Sequence, residues 1–284
     1  MEKKVCVITG ATSGIGYGIA RGLAARQYEL ILIGRDRTKG AQVVSSLQAE
    51  FSHSRISYYN IDLCSQREIR EVGDIIRSQH PQIDVLVNNA AVWTSRCELT
   101  EDQIEKQFAV NHLAYFLLTH ILYPNIAQSS DGRIINMGSD SHKYGRINWE
   151  DVNLSQSYHG LKAYGQSKLA NLLFTYQLDR LKKEKHVSTY CVQPGLVKTD
   201  IGVKHTSRFH AWMWKLRRLG GVTPEKAAET AIYLATAPEV AAQSGLYWDK
   251  CKPKPSSARS RNEADALRLW KLSEELCGIK DFFN

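Results

Sequence analysis

Tyr164-Gly165-Gln166-Ser167-Lys168 sets a phenol and an ammonium four residues apart, and in a helix that spacing stacks both on one face. Tyrosine ordinarily titrates near ~10, and a neighbouring cation favours its phenolate. The expectation is a lowered pKa that lets Tyr164 exchange a proton with a bound oxygen near neutrality. Such a pair is common on helix surfaces, so its meaning depends on what else the chain brings to it. The apolar run Arg133–Met137 ends in Gly138-Ser139, and a hydroxyl there can hold a carbonyl beside Tyr164. Ser141, two residues on, is the rival for that role. Asn111 sits inside the helix-like stretch 101–122, where a local backbone hydrogen bond or a kink is the plain reading.

A second constellation opens the chain. Thr9-Gly10-Ala11-Thr12-Ser13-Gly14-Ile15-Gly16 follows an apolar strand and precedes a helix. Gly10 allows a tight turn, while Gly14 and Gly16 let a pyrophosphate and the helix backbone approach the strand. The helix N-terminus then offers free N–H groups to phosphate. The second strand ends in Ile33-Gly34-Arg35-Asp36-Arg37. Gly34 stands where an acid would bind the adenosine ribose and repel a 2′-phosphate, and the Arg35 guanidinium suits a phosphate. This favours NADP(H) over NAD(H), with Ser13 as a further candidate for the 2′-phosphate. Asp36 complicates the reading, because a shift of one residue would put a carboxylate at the ribose.

These residues need a scaffold that gathers strand ends. Strand-like runs fall at 5–8, 29–33, 56–59, 85–87, 133–137, 187–192 and 246–248, with helical stretches between them, among them 15–26, 101–122 and 164–182. Such alternation predicts a doubly wound α/β sheet of seven mainly parallel strands with helices on both faces. No linker or repeat interrupts it, so residues 1–284 are read as one domain. The segment 196–222 leaves a strand and returns late. Ligands in such sheets bind beyond the carboxyl ends of the strands, so this excursion is read as a substrate lid.

Composition narrows the classes. The net charge is +8, but the basic residues are spread along the chain apart from clusters at 207–219 and 252–261, and no nucleic-acid-binding signature occurs. The six cysteines stand apart without zinc spacing, so no metal is expected and the thiols are read as reduced. No apolar run approaches the ~18–20 residues of a membrane span, and the first residues lack signal-peptide anatomy. The expected location is the cytoplasm or the surface of a membrane, not the secreted space.

With Thr9 before it, the G-x-x-x-G-x-G spacing resembles that of the short-chain dehydrogenase/reductase family, and Asn111, Ser139, Tyr164 and Lys168 match the catalytic tetrad of that family in chain order. The resemblance runs from residue 5 to about 277. It implies Ser139 rather than Ser141 as the substrate-binding hydroxyl and Tyr164 as proton donor and acceptor. Lys168 would hold the nicotinamide ribose, and Asn111 a water in line with the lysine. It also implies Asp62 and Leu63 at the adenine, and Asn89 and Ala90 after the fourth strand, where Ala91 replaces the usual glycine. Pro194-Gly195 would close over the nicotinamide, followed by Val197 and Thr199. The implied cofactor set is thus Gly10, Thr12, Ser13, Gly14, Ile15, Gly16, Arg35, Asp62, Leu63, Asn89, Ala90, Tyr164, Lys168, Pro194, Gly195, Val197 and Thr199.

Longer stretches, 110–119, 167–175 and 244–248, look like the retinol dehydrogenase branch, although the hydrophobic N-terminal anchor of many members is not expected here. That resemblance implies hydride transfer between NADP(H) and a lipophilic aldehyde or ketone, or the matching alcohol, with retinal and retinol as the pattern. In the lid, Phe209, Trp212, Met213, Leu216 and Leu219 fall on one helical face and Arg208, Lys215, Arg217 and Arg218 on the other. Three readings stay open: a cover over an apolar substrate with Trp212 and Leu216 in the pocket, a basic helix at a membrane surface, or core packing. A homodimer through the helices of 101–122 and 158–182 is a further implication. A non-catalytic NADPH-binding regulatory protein on the same fold is the alternative, and a degenerate tetrad would be its mark.

Overall fold

The computed structural model describes residues 3–195 and 222–283. Its sheet is built from β1 (Val5–Thr9), β2 (Glu29–Gly34), β3 (Ile56–Asn60), β4 (Val85–Asn88), β5 (Gly132–Met137), β6 (Val187–Gln193), β7 (Leu246–Asp249) and β8 (Lys252–Pro253), in the spatial order β3-β2-β1-β4-β5-β6-β7-β8. All neighbours pair in parallel except β7 and β8. The central strands are apolar at nearly every position because both faces are covered. Alternation then sorts them: Val7, Ile31, Ile33 and Leu86 enter one core, and Cys6, Ile8, Leu30, Leu32, Val85 and Val87 the other. Helices α1 (Gly14–Ala24), α2 (Arg37–Glu50) and α7 (Pro224–Thr236) contribute to the second core. Helices α3 (Gln66–Gln79), α4 (Lys106–Phe108), α5 (Ala114–Ile126), α6 (Gly160–Leu181) and α8 (Glu263–Leu276) contribute to the first.

Among the described residues the sheet has eight strands, not the seven expected. The extra one returns from β7 through a two-residue turn in which Lys250 and Cys251 both have positive φ, 51° and 58°. Such a tight hairpin needs left-handed backbone at both positions, usually signalled by Asn-Gly or Asp-Gly, and Lys-Cys hides it. Two exposed residues are also too few to show periodicity.

The helix expected over 101–122 begins only at Lys106. Residues 100–103 form a turn with Gln103 at φ 60°, and Leu99 makes an isolated bridge to Glu105. The Glu105 carboxylate then caps the helix by accepting from Phe108 N at 2.8 Å. Between α4 and α5 lies a π-turn, Ala109–Leu113, which carries Asn111. Pi-turns of this kind often mark functional positions. The helix expected from Tyr164 starts earlier, at Gly160.

The C-terminal segment seals the face of α5 and α6. Trp270 and Phe282 pack on Phe116 with ring centres 5.2 and 4.8 Å away, and both approach Phe174. His112 Nε2 lies 2.9 Å from Ser273 Oγ of α8. The aromatic face of the two helices from which a dimer was expected is therefore covered by the chain's own tail. Among the described residues no helix is long and apolar enough to cross a membrane, and no cluster of His, Cys, Asp or Glu could hold a metal ion.

Candidate active site

The strand order reverses between β1 and β4, and the crevice beyond their carboxyl ends is where such sheets take ligands. A cleft of about 780 Å³ opens there, within the ~300–1,000 Å³ range of cofactor sites. Its floor is the glycine loop. Gly10 (φ 68°) and Gly14 (φ 56°) adopt left-handed backbone. A Cβ on Gly16 would stand 2.3 Å from Gly10 O and 2.6 Å from Asn89 Nδ2, so α1 can start this close to β1 only on glycine. Thr9 and Asn89 lock the crevice: Thr9 Oγ1 accepts from Asn89 N and Ala90 N at 2.9 and 3.0 Å, and Asn89 Nδ2 donates to Thr9 O at 2.8 Å. Ser13 precedes α1 without capping it through its side chain, and the first turn contains no acid. The loop thus leaves N–H donors and a helix dipole open to an anion.

At the outer end, Arg35 is exposed along the cleft, and it forms no ion pair with the described residues. Asp36 lines the same end and caps α2, its Oδ1 accepting from Lys39 N at 3.0 Å. A carboxylate serving as an N-cap is engaged by its own helix. Lys39 lines the same end, 3.5 Å from Asp36, and Lys106 does so while paired to Glu98 at 2.7 Å. Sequence reasoning missed both. Lys39, one helical turn beyond Arg35, was the available signal. Asp62 and Leu63 form the adjacent wall, with Asp62 Oδ1 accepting from Cys64 N at 3.0 Å.

Tyr164 and Lys168 reach the inner end of the cleft, beside Val92, Trp93, Val110 and Met137. Ser139 does not line it, but its side chain is close enough to the Tyr164 phenol to favour the phenolate. Ser141 stands one step farther, its Oγ accepting from Ser139 Oγ at 3.1 Å and its N–H donating to Ser139 Oγ at 3.1 Å. Of the two rivals, Ser139 is therefore the one against the phenol. Asn111 is wholly buried under the cleft. Its side chain accepts from Val92 N at 2.7 Å and donates to Val92 O and Ser167 Oγ, both at 3.0 Å. The π-turn directs it at this backbone. Pro194 lines the cleft and Gly195 follows at φ 82°, outside the lining. Val197, Thr199, Trp212, Leu216 and the basic 207–219 segment lie outside the described residues.

Electrostatics correct one expectation. The Tyr164 phenol is not lowered; burial pushes it up to about 12, offset only by the Ser139 side chain. The Lys168 ammonium donates to Met137 O at 2.8 Å and lies 5.7 Å from the Tyr164 ring centre, and burial lowers it to about 8. Desolvation acts on both groups and outweighs their coupling. At neutral pH the arrangement presents a protonated phenol beside a hydroxyl, with an ammonium one helical turn on. It can hand a proton to an oxygen seated against the Tyr164 hydroxyl.

A family model described as short chain dehydrogenase matches residues 4–208. Retinol dehydrogenase 12 of Bos taurus is 37% identical over 277 residues, covering 98% of this chain and 87% of that protein. Retinol dehydrogenase 11 of Homo sapiens is 37% identical over 276 residues, covering 97% and 86%. Among solved structures, an uncharacterised protein from Mycobacterium paratuberculosis superposes with a TM-score of 0.77 at 29% identity, covering 97% of this chain and 94% of that one. An alcohol dehydrogenase from Thermococcus sibiricus, complexed with 5-hydroxy-NADP, shares the fold with a TM-score of 0.68 at 22% identity, covering 90% and 100%.

Proposed function

Because the chain belongs to the short-chain dehydrogenase family, in its retinol dehydrogenase branch, and is thus an oxidoreductase, we propose that it uses NADP(H) to interconvert a lipophilic aldehyde or ketone and its alcohol. The observation that carries this reading is the Tyr164 hydroxyl against Ser139, with Lys168 one turn on, at the inner end of a cleft whose outer end holds Arg35. When bound, the nicotinamide supplies or accepts the hydride. The residues that would hold NADP(H) are those of the glycine loop, Asp62, Leu63, Asn89, Ala90, Pro194 and Lys168, with Gly195, Val197 and Thr199 beyond.

Arg35 supports the phosphorylated nucleotide, because the neighbouring acid is spent on capping α2 and Gly34 adds no competing charge. The protein's own part is proton chemistry and orientation. Ser139 holds the carbonyl oxygen, and Tyr164, protonated at neutral pH, donates to it as charge develops there. Left unprotonated, that oxygen would become an alkoxide in an apolar pocket, which is costly. Lys168 holds the ribose and re-protonates Tyr164, and Asn111 orders the path to solvent. In the reverse direction Tyr164 takes the alcohol proton. An apolar substrate fits the inner wall of Val92, Trp93, Val110 and Met137 and accords with the names of the relatives. Trp212 and Leu216 would complete the pocket, with segment 207–219 as the candidate contact to a membrane surface.

The test is turnover of the purified chain with NADPH or NADH and aldehydes of increasing length up to retinal. The expected result is a preference for NADPH and for long apolar substrates. NADPH binding without turnover of any carbonyl would replace this reading with the regulatory one, and equal use of NADH would refute the cofactor assignment.

A further inference from the structure

We propose that His142 is a positioning residue for Ser139: its neutral imidazole ties the backbone of the serine to the C-terminal segment at Ser257. The inference rests on the proposed function only in taking Ser139 as the substrate-binding hydroxyl.

Ser139 ends the run from β5 and caps a short 3-10 turn, Asp140–Lys143. His142 lies in that turn with no exposed surface. Its Nδ1 is 2.7 Å from Ser139 O, and its Nε2 is 3.1 Å from Ser257 N. A backbone N–H can only donate, so Nε2 is the acceptor. Nδ1 therefore carries the proton and donates it to Ser139 O. Two backbone groups thus fix the tautomer. Burial also lowers the pKa of His142 against the opposing pull of the bond to Ser139 O and of Asp140; Lys143 and Lys254 act in the same direction as burial. A protonated ring would turn a second N–H toward that of Ser257.

The neighbouring residue is held from the same side. Asp140 N donates to Gln193 Oε1 at 2.9 Å, and its carboxylate accepts from Tyr247 OH at 3.1 Å and pairs with Lys254 at 3.0 Å. The Tyr247 ring packs edge-on against His142, with centres 5.2 Å apart. The serine is therefore not placed by β5 alone. Residues one and three positions beyond it are anchored to chain more than a hundred residues away. Reactive hydrogen bonds tolerate little misplacement, so this anchoring sets how Ser139 Oγ meets Tyr164.

The test compares His142→Asn, His142→Gln and His142→Phe in the full chain. Asparagine keeps an amide N–H near the place of Nδ1, glutamine reaches only the place of Nε2, and phenylalanine keeps the packing on Tyr247 without either bond. With NADPH and an aldehyde the wild type turns over, we expect kcat to fall about tenfold or more in His142→Phe while the NADPH Kd stays within about twofold. His142→Asn, which keeps the bond to Ser139 O but not the tie to Ser257, should recover part of kcat and His142→Gln should not.

A second readout does not depend on turnover. In protein carrying isotope-labelled tyrosine, the Tyr164 resonance, assigned by its loss in Tyr164→Phe, should move in His142→Phe toward its position in Ser139→Ala. Full kcat in His142→Phe, equal behaviour of the Asn and Gln variants, or an unmoved Tyr164 resonance would overturn the proposal. A wild type that turns over no carbonyl would instead refute the functional reading, and the resonance would still decide the role of His142.

Discussion

Arg35→Ala should separate the two nicotinamide nucleotides. The guanidinium lines the outer cleft, is exposed, and has no ion pair with the described residues, so it is free to meet a 2′-phosphate. A charge-assisted hydrogen bond contributes ~1.5–3 kcal/mol, and solvent screening at an exposed site puts the loss near the lower end, ~1.5 kcal/mol. That is about tenfold in Kd for NADPH. NADH lacks the phosphate and should keep its affinity within about twofold. Lys39 and Lys106 also face this end, but each already pairs with a carboxylate, at 3.5 and 2.7 Å, so they should replace Arg35 only in part. Because the Debye length is ~10 Å at 0.1 M salt, the preference of the wild type should shrink as salt is raised, and that of the variant should shrink less. Fluorescence titration with both nucleotides at two ionic strengths measures all of this. Equal losses for NADPH and NADH would mean that Arg35 shapes the loop, and no loss for either would remove it from the site.

Tyr164→Phe should slow single-turnover aldehyde reduction by at least ~10²-fold with NADPH affinity kept, since only the proton-bearing hydroxyl is lost; a rate within about fivefold of wild type would take Tyr164 out of the mechanism. Lys168→Met should abolish turnover yet stabilise the chain at pH 7 without added nucleotide. Burial lowers the lysine from 10.5 to about 8, so between these values the unfolded chain binds the extra proton and stability rises with pH. Below pH 8 the wild type bears the whole cost of burying the ammonium, and its removal should gain on the order of 1–3 kcal/mol. Met137 O keeps a bond from Asn171 Nδ2 at 3.2 Å. The gain should vanish as pH climbs toward 10.5, and thermal melts across that range would expose a pH-independent effect. Phe282→Ala should cost ~3–5 kcal/mol, because the ring is buried against Phe116 and Trp270. In the wild type, light scattering with cross-link mapping should find no self-association through α5 and α6, and a dimer mapped to that face would refute the covering role of the tail.

The chain taken alone carried the sheet and the glycine cradle. Parallel strands buried on both faces read as unbroken apolar runs, and Gly10, Gly14 and Gly16 are dictated by local backbone and close approach, so both signals are short-range. Local too was the Tyr164–Lys168 spacing, with Ser139 at a strand end. What stayed hidden arises between segments far apart in the chain. Whether Asp36 reads a ribose or caps a helix depends on one side-chain rotamer at the start of α2. The choice between Ser139 and Ser141 rests on which hydroxyl the packed α6 meets. The pKa of Tyr164 followed burial rather than the lysine beside it, because desolvation is a property of the assembled core. The tie from His142 to Ser257 spans 115 residues, and the packing of Trp270 and Phe282 on Phe116 of α5 spans still more. Periodicity reports which face of an element is apolar; only the packed tertiary structure decides which distant segment covers that face and which polar groups it leaves to each other.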